Sequence, residues 1–73
     1  MNRDKAIKLA RGYIFSQWPK LFEPEVDHTY YGLLSVHEVI LDFGPELQAY
    51  LRVWPDETVE LLFFGLHDEL NLE

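Results

Sequence analysis

Three histidines in this chain each stand beside an acid, as Asp27-His28, His37-Glu38 and His67-Asp68. Imidazoles and carboxylates together are a familiar ligand set for zinc. The spacing here does not serve it, because adjacent residues on a strand point to opposite faces and cannot close on one ion. No metal site is expected, and the histidines read as surface residues. Nucleophilic chemistry has less material still. There are no cysteines, and neither Ser16 nor Ser35 has a base and an orienting group at a telling distance. Ser16 falls near the end of a helix-like stretch, and Ser35 opens an S-x-x-E pattern that suits a helix cap. No glycine-rich phosphate loop and no H-E-x-x-H are present. Paired carboxylates are unavoidable in a chain with 13 acids, so their proximity says little about glycosidase-type chemistry. A 73-residue chain also has little room for a pocket of ~300 Å³. The reading is a non-enzyme without cofactor.

Charge narrows the class of partner. The net charge is −7, and it is unevenly placed. Residues 1–20 hold Arg3, Lys5, Lys8, Arg11 and Lys20 against Asp4 alone, whereas residues 21–73 hold Arg52 against twelve acids. Phosphate binding needs clustered Lys and Arg, so the main body is not expected to bind nucleic acid directly. A basic protein surface suits it better. No apolar run approaches the ~18 residues a membrane span needs, and the first residues lack the order of a secretory signal. A cytoplasmic protein that does not engage membrane is expected. The apolar share of 48% is too high for a disordered chain.

The elements that must position these groups can be read from periodicity. In residues 3–18, Ala6, Ile7, Ala10, Tyr13, Ile14 and Trp18 recur at helical spacing. Asn2 is a plausible cap and Pro19 a stop. Residues 19–32 read as a connector with a short strand near residues 26–31, one of Tyr30 and Tyr31 facing the core. Residues 33–64 read as a β-meander. Pro55-Asp56-Glu57-Thr58 supplies turn chemistry between 47–54 and 58–64, and 35–43 lies beside them across Gly44-Pro45. Gly65 is expected to end the sheet, with 65–73 an acidic tail. The fold class is therefore α+β in one small domain, an amphipathic helix packed on a small antiparallel sheet. The alternative is an all-α bundle, with 36–43, 45–54 and 57–70 as helices.

On the strand reading, Ser35, His37, Val39, Leu41 and Phe43 share one face, and Leu34, Val36, Glu38, Ile40 and Asp42 share the other. Glu38 and Asp42 then flank Ile40, roughly 13 Å apart along the strand. In the next strand Glu46, Tyr50 and Trp54 share the exposed face with Gln48 and Arg52. Exposed aromatics concentrate binding energy at interfaces. Glu38, Ile40, Asp42, Glu46, Tyr50 and Trp54 are the expected partner-binding residues. The alternative is an accessory module that forms a homodimer through the aromatic sheet face.

The stretch "LLSVHEVILDF" resembles the Glu-x-Ile-Leu strand of phage-encoded inhibitors of uracil-DNA glycosylase, matching at Glu38, Ile40 and Leu41. Val39 stands where that family has serine between Glu and Ile. The resemblance implies a small acidic α+β inhibitor, of phage or bacterial origin, that mimics DNA. Its carboxylates replace phosphates in a basic groove, and an apolar pocket captures a side chain of the enzyme. It also adds Leu41 to the expected contact residues.

Overall fold

The computed structural model describes residues 1–66, which form α1 (Arg3–Gln17), β1 (Glu25–Tyr31), β2 (Val36–Asp42), β3 (Leu47–Val53) and β4 (Val59–Leu66). The four strands make one antiparallel sheet in the order β1-β2-β3-β4, and α1 lies on one side of it, chiefly across β2 and β3. The all-helical alternative is thereby overturned. No helix among the described residues is long and apolar enough to cross a membrane.

Helix α1 begins where a cap is available. The Asn2 side chain accepts a hydrogen bond from the backbone N–H of Lys5 at 2.9 Å, satisfying one of the orphan donors of the first turn. It ends at Trp18, whose φ of −132° and ψ of 74° are non-helical ahead of Pro19. Ala6, Ala10 and Ile14 are fully buried, one turn apart, and the two alanines let the helix approach the sheet closely. Val39 and Leu41 of β2 and Ala49, Leu51 and Val53 of β3 meet them, all at 0% exposure. Phe43 and Phe64 pack edge to face at the far end, where Trp18 stacks on Phe64 with ring centroids 4.2 Å apart.

The turns follow local chemistry. Gly44 takes a φ of +131°, open to glycine alone at little strain, and its N–H donates to the Asp42 carboxylate at 3.0 Å. In the β3–β4 turn the Asp56 carboxylate accepts from the Thr58 N–H at 3.0 Å. Hydrogen bonds from the Thr58 side chain and backbone hold the Asp56 carboxyl below its usual range. Lys5 ties the helix start to this turn through Glu57 at 3.1 Å.

Four local expectations are corrected. Ser35 caps no helix; it sits in the β1–β2 turn at φ 54°. Tyr30 and Tyr31 are both exposed, at 52% and 46%: Tyr30 is on the helix side but beyond the cover of α1, and Tyr31 is on the open side, where its hydroxyl reaches Glu38. Gly65 does not end the sheet but pairs with Gln48, and β4 runs on to Leu66. His37 is no surface residue; it is 4% exposed. The expected acidic tail lies outside the described residues beyond Leu66, as does His67.

Candidate functional site

Because α1 covers only one side of the sheet, the other side presents the alternate residues of each strand. Register arranges them in cross-strand rows. Asp27, Ile40, Tyr50 and Phe63 form the central row. On one side of it lies Thr29, Glu38, Arg52 and Glu60; on the other, Glu25, Asp42, Gln48 and Gly65. The open face thus has an apolar row, with Tyr50 and Phe63 edge to face at 6.1 Å, flanked by rows rich in carboxylates. Five acids stand against Arg52. Directly opposed residues such as Glu25 and Asp42 lie about 5 Å apart at Cβ, and diagonal ones such as Asp27 and Glu38 about 7–8 Å.

Some of these carboxylates are held. Glu38 stands directly opposite Arg52, with their charged atoms 3.8 Å apart, and accepts a long hydrogen bond from the Tyr31 hydroxyl at 3.4 Å. The Arg52 guanidinium lies 5.7 Å from the Trp54 ring centre, and the Trp54 indole N–H donates to Glu60 at 3.1 Å. One cation therefore orders a chain of groups across three strands. Glu25 and Asp27 are exposed on β1 and have no ion-pair partner among the described residues. The side-chain oxygen of Gln48 is buried beside Asp42 with no hydrogen-bond partner among the described residues.

Of the expected contact residues, Glu38, Ile40, Asp42, Tyr50 and Trp54 come together on this face. Asp42 also spends one oxygen on the Gly44 turn. Glu46 lies in the β2–β3 turn and is exposed. Leu41 must be withdrawn from the list: it points to the helix side and is fully buried, since strand alternation puts it opposite Ile40. Sequence reasoning missed Glu25, Asp27, Glu60 and Phe63. The first two follow once β1 is given its register. Glu60 follows once β4 is paired with β3, but Phe63 was hidden by a bulge: the partner of Tyr50 is Phe63 and that of Leu51 is Leu61, which leaves Leu62 as the extra residue.

A second cluster lies on the helix side. Nε2 of His28 and Nδ1 of His37 are 2.8 Å apart, and the Tyr30 ring stands 4.7 Å from the His37 ring. Partial burial, then the charges of His37 and Arg3, lower the pKa of His28 from 6.5. The two imidazoles bind each other, and no group of three or more His, Cys, Asp or Glu suited to a metal ion is found among the described residues. No family model, no curated protein and no solved structure matches the chain.

Proposed function

We propose that this chain is a non-enzymatic binding protein that uses its open sheet face to engage and shield a basic surface on another protein. One observation carries the reading: an apolar row of Ile40, Tyr50 and Phe63 lies between rows of carboxylates on the side of the sheet that α1 leaves free. Interfaces are built this way, with an apolar and aromatic centre and a polar rim. The charge also weighs against the homodimer alternative. A symmetric pairing of this face with itself would bring five acids and Arg52 against the same set, and like charges across an interface are costly.

In its sharper form, the partner is a nucleic-acid enzyme such as uracil-DNA glycosylase, and the carboxylates of β1 and β2 stand in for phosphates. They would enter a basic groove without the counterion atmosphere that DNA carries. Glu38 and Ile40 lie on the open face, whereas Leu41 supports the core.

Capture from an extract of the native host tests the reading, with the wild type compared with an Asp27→Lys/Glu38→Lys variant checked for folding by circular dichroism. The wild type is expected to retain a basic protein at ~0.1 M salt and release it near 0.5 M, because the contact charges are screened. The variant is expected to retain none. A partner held equally by both, or held without regard to salt, rules the proposal out.

A further inference from the structure

Gly12 lies in the middle of α1, where glycine costs about 1 kcal/mol relative to alanine. The fold does not require it. A Cβ placed there meets nothing within 4 Å, and its backbone is not in the left-handed region. What Gly12 does is line a groove of about 640 Å³ between the helix and the start of β4. Leu9 and Tyr13 form the helix wall, Val59 the sheet wall, and the Lys5–Glu57 ion pair closes one end. Lys8 also lines the groove and has no ion-pair partner among the described residues. In a chain of net charge −7, an uncompensated cation beside an apolar slot selects for an anion with an apolar body. At Gly12 the helix wall is bare backbone with open space above it, so a planar body can lie flat against it. From Lys8 to Tyr13 the helix advances about 7.5 Å along its axis, room for a fused pair of aromatic rings.

We propose that this groove binds a flat aromatic carboxylate, with its anion on Lys8 and its rings against Tyr13, Leu9 and Val59 over the bare backbone of Gly12. The site shares no residue with the open sheet face, so it stands or falls independently of the function proposed above.

Titration of the full chain with 2-naphthoate and with neutral 2-naphthamide, followed by amide NMR shifts, tests it. For a ligand of this size a Kd on the order of 1 mM is expected, with shifts centred on Leu9, Gly12 and Val59. Lys8→Gln should weaken naphthoate at least about fivefold, as loss of a charge-assisted contact does, and leave naphthamide unchanged. Gly12→Leu should abolish binding of both while raising the thermal midpoint, since leucine is the better helix former; lost binding therefore cannot be lost folding. Three results would overturn the proposal: no saturable shift at several millimolar, shifts mapping elsewhere, or undiminished binding in Gly12→Leu.

Discussion

Glu38 looks misplaced among Val36, Val39, Ile40 and Leu41 until its neighbours are counted. Arg52 stands opposite it, and the pair is partly screened from water, with side chains 23% and 35% exposed for Glu38 and Arg52. The acid is therefore paired rather than stranded. His28 is the other residue whose surroundings decide its behaviour. Burial and the neighbouring charges lower its folded pKa below 6.5. The unfolded chain thus takes up the proton at higher pH than the folded one. The contribution of His28 to stability is complete above about pH 6.5 and is lost as the pH falls through and below that value. The contact with His37 sharpens this, because a protonated His28 ring can no longer accept a hydrogen bond there. Urea midpoints measured at pH 7.5 and 5.5 should show the wild type weaker at pH 5.5. His28→Asn should reduce that difference; an unchanged difference would show that other groups cause it.

At the scale of elements, the β2–β3 connection is the most tightly specified. Gly44 takes a φ of +131°, its N–H is bound by Asp42, and the Phe43 N–H reaches the Leu47 carbonyl at 2.9 Å. Gly44→Ala should cost about 1–3 kcal/mol through backbone strain, although a Cβ there would meet nothing within 4 Å. Equilibrium urea unfolding measures it, and a neutral result would mean the turn relaxes to another conformation. The β1–β2 turn is built differently. It carries Leu33 fully exposed and Leu34 at 64%, so no burial of these side chains helps to hold it. The bulge at Leu62 belongs to the edge strand β4, where such irregularity discourages pairing with other chains.

For the molecule as a whole, one thin core carries the stability. Leu41 is among its largest fully buried side chains and sits where α1 crosses β2 and β3. Leu41→Ala should cost about 2–5 kcal/mol, a large part of what a domain of this size has to lose. A thermal melt of the variant would show it largely unfolded at 37 °C. The outcome also separates two roles, because a contact residue would lose binding at full stability.

The sequence by itself determined the helix, its cap at Asn2 and its stop before Pro19, and it offered the hairpin across Pro55-Asp56-Glu57-Thr58 against a helical alternative that the strand pairing excluded. Each is set by local chemistry: a 3.6-residue period, a capping side chain, a proline's missing N–H. The two-residue alternation also placed Glu38, Ile40 and Asp42 on one face and Leu41 on the other. It could not say which face the helix would take, and the Glu-x-Ile-Leu likeness drew Leu41 to the wrong side. Tertiary structure decided the rest. Pairing of β1 with β2 brought Glu25 and Asp27 beside Asp42 and Glu38. The Leu62 bulge put Phe63 opposite Tyr50, on the face where Glu60 stands opposite Arg52, and pairing of β1 with β2 set His28 and Tyr30 against His37. These are contacts between residues far apart in the chain. They depend on register and on which side of the sheet is covered, and no local pattern of residues encodes either.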